Sequence, residues 1–126
     1  MTLPLVIVDG ANVVGSVPDG WWRDRPGATE RLRDALAGIL IDGLPGLAGP
    51  IDVTLVVEGR ARDIPQTGNG VLVERAAGSG DDKITELVRD VAPARRTVVV
   101  TADRGLRDRV VPLGAEVRGP TGVPRR

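Results

Sequence analysis

The chain has 126 residues and no formal net charge, its 17 basic side chains matching 17 acidic ones, and it contains neither cysteine nor histidine. Those absences exclude a disulfide framework, a thiolate or histidine zinc site and any Ser-His or Cys-His pair, so an enzyme of this composition must use carboxylates or a metal-bound water. A hydrophobic fraction of 41% beside 27% charged residues describes one globular domain with enough aliphatic side chains for a core, and zero net charge confines any polyanion site to a local patch.

Leu5, Val6, Ile7 and Val8 form a continuous apolar run that is closed by Asp9, Gly10, Ala11 and Asn12. A run too short for a membrane span predicts a strand covered on both faces, as in a parallel sheet. Asp9 then stands at the strand's carboxyl end, where open α/β sheets bind ligands, although Asp beside Gly is also an ordinary turn pair. Between Gly15 and Gly27, two prolines, three glycines and the pair Trp21 and Trp22 predict a long loop. With no Phe or Tyr in the chain, these rings are its whole aromatic surface, available as a core anchor or for stacking on a base. Ala28, Leu32, Ala35, Leu36, Ile39 and Leu40 share one face at helical spacing and predict an amphipathic helix from Pro26, ended by the glycines and prolines of residues 43–50.

Ile51, Val53, Leu55, Val56 and Val57 predict a second strand ending at Glu58. A flexible basic loop from Gly59 to Gly70 follows, then a short third strand at Val71, Leu72 and Val73. Ser79 reads as the N-cap of a helix opening with Asp81 and Asp82, which suit the positive end of its dipole, and carrying Ile84, Leu87, Val88 and Val91 on one side. Thr97 to Thr101 predict a fourth strand, with Asp103 two residues on, followed by a short helix and a brief strand at residues 115–118. Alternating strands and helices imply right-handed βαβ units and a three-layer αβα sandwich. The domain is expected over residues 1–118, with residues 119–126, rich in Gly, Pro and Arg, as a loose tail. With no leader before the first strand and no apolar run of about 18 residues, the expectation is a cytoplasmic protein outside membranes.

The acids Asp9, Glu58, Asp81, Asp82 and Asp103 all follow strands, at one end of a parallel sheet. If the chain winds outward through strands two and three and returns to set strand four beside strand one, Asp9 and Asp103 flank the crevice at the switch point. Clustered carboxylates repel one another unless a cation sits among them, and Mg²⁺ or Mn²⁺ takes such oxygen ligands. The cation would supply the activated water that a histidine-free chain otherwise lacks, acting on a phosphodiester. Asn12 is placed to hold a phosphate oxygen or to support a carboxylate, while helix capping alone accounts equally well for Asp81, Asp82 or Asp103. A phosphate-loop reading of Gly78 to Lys83 fails because two aspartates would repel the phosphates.

The segments VIVDGANVVGS, GSGDDKITELV and VVTADRGLRDRV resemble the three signature segments of the NYN branch of the PIN-like nuclease superfamily, including its YacP-like bacterial members. The resemblance implies a PIN-like five-stranded, mainly parallel sheet in the order 3-2-1-4-5 and a Mg²⁺- or Mn²⁺-dependent ribonuclease that leaves 5′-phosphate ends. It implies metal-binding roles for Asp9, Asp81 or Asp82, and Asp103, with Asn12 as the accompanying polar position in the catalytic set. Glu58 and Asp108 are secondary candidates. Single-stranded or structured RNA is the expected partner, with Arg60, Arg62, Arg104 and Arg107 as its local basic contacts because the overall charge is balanced. The alternative is a non-catalytic RNA- or protein-binding module of the same fold. Oligomeric state is open, a homodimer being one option.

Overall fold

The computed structural model describes residues 2–124. In chain order the elements are β1 (Leu5–Asp9), α1 (Gly10–Gly15), α2 (Arg25–Leu36), α3 (Ile39–Asp42), β2 (Gly43–Leu44), β3 (Leu47–Ala48), β4 (Asp52–Val57), β5 (Leu72–Arg75), α4 (Gly80–Val91), β6 (Thr97–Val100), α5 (Arg104–Val110) and β7 (Glu116–Arg118). The central sheet has the order β5-β4-β1-β6-β7 and every pairing in it is parallel. Numbered among themselves, its strands run 3-2-1-4-5, the order that the resemblance implied. Among the described residues no helix is long and apolar enough to cross a membrane.

The alternation of side chains along each strand divides the core into two layers. Val6 and Val8 of β1, Val53, Leu55 and Val57 of β4, and Val98 and Val100 of β6 face Val13, Leu32 and Leu36 of α1 and α2. Leu5, Ile7, Val56 and Val99 face the other way, onto Ile84 and Val88 of α4 and Leu106 and Val110 of α5. The same alternation governs what emerges at the carboxyl ends. Asp9 continues the Leu5 and Ile7 row, Glu58 the Val56 row and Thr101 the Val99 row, so all three belong on the α4 and α5 side of the sheet.

Helix starts follow local chemistry. Asp24 caps α2 by accepting from the Gly27 amide at 3.0 Å, with Pro26 in the first turn where its missing N–H is not needed. Ser79 caps α4 as expected, accepting from the Asp82 amide at 3.2 Å. Gly10 is required by a close approach. A Cβ there would stand 2.6 Å from the Val56 carbonyl oxygen, so any larger residue would push α1 away from β4.

Residues 10–15, to which no element was assigned, form the short helix α1 ahead of the expected loop. Three local expectations need correction. The helix expected from Pro26 through Leu40 breaks at Ala37 and Gly38 into α2 and α3, and the turn-rich residues 43–50 contain the small antiparallel hairpin of β2 and β3. The segment Gly59–Gly70 is tied down: Arg33, buried at 5% exposure, donates from Nη1 to the Pro65 carbonyl at 2.8 Å, Arg75 donates to the Ile64 carbonyl at 2.9 Å, and Ile64 is buried. Finally, the tail is not loose throughout. Pro120 and Val123 are buried, and Val123 packs into the same apolar layer as Val98 and Val100. Arg125 and Arg126, the last two residues of that predicted tail, lie outside the described residues.

Candidate active site

Asp9 is the most deeply placed acid of the group, at 4% exposure. Its Oδ2 accepts a hydrogen bond of 2.9 Å from the Thr101 hydroxyl, which in turn accepts from the Asp103 amide at 3.1 Å. Thr101 thus joins the end of β1 to the turn that carries Asp103, across the switch point between β1 and β6. Asn12 makes a second link over the same crevice, its Oδ1 accepting from the Ala102 amide at 2.8 Å. The expected polar partner of Asp9 therefore acts on the β6–α5 turn.

Burial pushes the Asp9 carboxyl up from 3.8 to about 6. The Thr101 hydrogen bond and the Asn12 amide pull it back, and the charges of Asp81 and Glu58 push it further up. Asp81 is likewise raised, first by burial and then by the charges of Asp103 and Glu58, with Arg109 opposing. The charges of Asp81 and Glu58 thus reach Asp9, and those of Asp103 and Glu58 reach Asp81.

The adjacent pair at the start of α4 separates. Asp82 is exposed and forms an ion pair of 2.9 Å with Arg109, whereas Asp81 is half-buried and faces the other acids. Helical spacing contains this signal: Asp81 precedes Ile84 by three residues and Val88 by seven, on or beside the apolar stripe, while Asp82 points away from it. Glu58 is also engaged locally. Its Oε2 accepts from the Gly80 amide at 2.7 Å, which fastens the start of α4 to the end of β4 and so fixes where Asp81 stands. Asp103 caps α5 with Oδ1, 3.1 Å from the Leu106 amide, so the capping reading holds for that oxygen. Asp108 lies on the exposed surface of α5, and no hydrogen bond or ion pair among the described residues joins it to the acids.

The donor set consists of carboxylate oxygens only, which in kind fits a hard divalent cation. Among the described residues no three of them stand close enough to enclose an ion by side chains alone.

The predicted basic residues lie in two places. Arg104 and Arg107 are exposed and line a pocket of about 240 Å³ with Thr101, Ala102 and Asp103, beside the acids. Arg60 and Arg62 are exposed on the anchored segment after β4. A second pocket of about 290 Å³ lies against the α1 side, where Gly10, Ala11 and Glu58 meet Trp21 and Arg25. Thr101 and Arg25 were not among the residues singled out from sequence. Thr101 was legible as a polar residue ending a valine run on the row of Val99, while nothing local distinguishes Arg25 from the other surface arginines.

No family model and no curated protein sequence matches the chain. Among solved structures, a crystal structure of the W164L mutant of Rae1 (YacP) from Bacillus subtilis matches with a TM-score of 0.68 at 18% identity, over 94% of this chain and 70% of that one. The chain has the fold of Rae1. A second crystal structure of Rae1 (YacP) gives a TM-score of 0.64 at 18% identity over 95% and 71% of the two chains. The likeness to Rae1 thus spans nearly the whole of this chain.

Proposed function

We propose that the protein is a ribonuclease that depends on Mg²⁺ or Mn²⁺ and hydrolyses phosphodiester bonds of RNA at the carboxyl ends of β1, β4 and β6. The observation that carries this reading is the meeting of the β1, β4 and β6 ends with the start of α4, where Thr101 links Asp9 to Asp103, Glu58 holds the Gly80 amide, and burial together with the charges of Asp81 and Glu58 raises the Asp9 carboxyl, a repulsion that a cation would relieve. Asp9 and Asp81 are the residues that would hold the ion directly, with Asp103 and Glu58 acting through water. A bound divalent cation supplies Lewis acidity and screens the negative charge of the phosphodiester. The chain supplies position: Thr101 orients Asp9, Asn12 holds the turn bearing Asp103, and Glu58 fixes the first turn of α4. Arg104 and Arg107, which line the pocket beside Asp103, would contact the flanking phosphates.

The test is cleavage of single-stranded RNA by the native protein with Mg²⁺ or Mn²⁺, expected to disappear in Asp9→Asn while the fold is retained. A second reading, an RNA-binding module without catalysis, is favoured by the absence of a three-carboxylate cage among the described residues and by the capping contacts of Glu58 and Asp103. Calorimetric titration with Mn²⁺ separates the two. Binding heat that is lost in Asp9→Asn supports the nuclease, and no heat with RNA bound but uncut supports the module.

A further inference from the structure

The pocket on the α1 side is not used by the acid chemistry, yet it shares a wall with it. Gly10 and Ala11, which line it, follow Asp9 directly, and Glu58 both lines it and raises the Asp9 carboxyl. Its far wall is Trp21 and Arg25, with the Arg25 guanidinium 5.1 Å from the centre of the indole ring. Trp21 is half-buried, whereas Arg25 is exposed. At about 290 Å³ the pocket sits at the lower end of the roughly 300–1,000 Å³ of small-molecule sites, a size that suits a single planar group.

We infer that this pocket receives one unpaired base of the RNA strand, stacked against the Trp21 and Arg25 wall, so that the phosphate joined to it lies over the acids. The inference rests on the reading of the acid crevice as an RNA site and adds to it a preference for single strands. Indole and guanidinium planes both stack on bases, and they do so without regard to sequence because every base has a π-face. A base held in a duplex would have to leave its stack to enter, which disfavours double-stranded substrates.

The composition makes the test direct. The chain has two tryptophans and no tyrosine, so Trp22→Phe leaves Trp21 as the only indole emitter. In Trp22→Phe combined with Asp9→Asn, a mixed-sequence single-stranded RNA of about ten nucleotides is expected to quench Trp21 emission saturably, and the same RNA annealed to its complement is not. Arg25→Ala should weaken the single-strand Kd by about ten-fold, within the range of one lost stacking contact. Saturable quenching by the single strand supports the base pocket whether or not the native protein cuts RNA. Unchanged emission, or equal quenching by the duplex, overturns it even where the native protein shows Asp9-dependent cleavage. Failure of the pocket and failure of the nuclease are therefore read from different signals.

Discussion

Thr101 donates its hydroxyl proton to Asp9 across the gap between β6 and β1, at 2.9 Å, while accepting from the backbone of Asp103. One hydroxyl therefore sets the orientation of the buried acid and the position of the half-buried one. It also partly offsets the burial that raises the Asp9 carboxyl.

Replacing Thr101 by Val keeps the shape and removes both hydrogen bonds. The Asp9 carboxyl should then rise beyond about 6, since an interaction that favours its charged form is gone. The acid limb of the pH profile for RNA cleavage should move to higher pH, with activity at pH 6.5 falling several-fold and largely recovering at pH 8.5. An acid limb left where it is in the native enzyme would detach Thr101 from the ionisation of Asp9.

Asp9 also ties stability to pH when divalent ions are chelated. Below about pH 4 it is protonated in folded and unfolded chains alike and carries no penalty. Between about 4 and 6 the unfolded chain ionises while the fold retains the proton, so stability falls as pH rises, and above about 6 the full cost is present. The difference between 3.8 and about 6 corresponds to at most about 3 kcal/mol. Asp9→Asn should therefore be more stable than the native protein at pH 7.5, by about 1–3 kcal/mol in urea unfolding with EDTA, and close to equal at pH 4. Equal destabilisation at both pH values would show that the carboxylate is not strained in the fold.

The two neighbours at the start of α4 should differ in effect. Asp81→Asn removes a half-buried acid that faces Asp103, Glu58 and Asp9, and it should cut RNA cleavage by at least about 100-fold. Asp82→Asn breaks only an exposed ion pair with Arg109 and should leave kcat/KM within about three-fold. Comparable losses in the two variants would reverse this assignment.

Arg33 gives a prediction about the fold alone. It is buried, paired with Asp34 at 2.9 Å and bonded to the Pro65 carbonyl. Arg33→Met keeps much of the apolar stem but leaves that carbonyl without its donor, at a cost of about 1–3 kcal/mol. Residues 59–70 should exchange amide hydrogens faster in this variant while the strands keep their protection. Uniform loss of protection would instead point to a global effect.

The pattern of residues carried the sheet far. Runs such as Leu5–Val8 and Thr97–Val100 are too short and too β-branched for anything but buried strands, and the two-residue repeat already sends Asp9, Glu58 and Thr101 to one side. The sequence alone thus determined where the strands lie, which acids end them and that no histidine or cysteine chemistry is available. Tertiary structure decided the rest, because those choices depend on contacts between residues distant in the chain. The burial that raises Asp9 is set by α4 and α5 packed over the sheet, the use of Glu58 as a tether by the Gly80 amide, and the burial of Val123 by space left in the α1 and α2 layer. Arg33 lies on the polar side of an amphipathic pattern and is nevertheless buried, because the segment around Pro65 folds back over α2. Local periodicity reports a residue's direction from its own element, but only the packed fold reports what stands opposite.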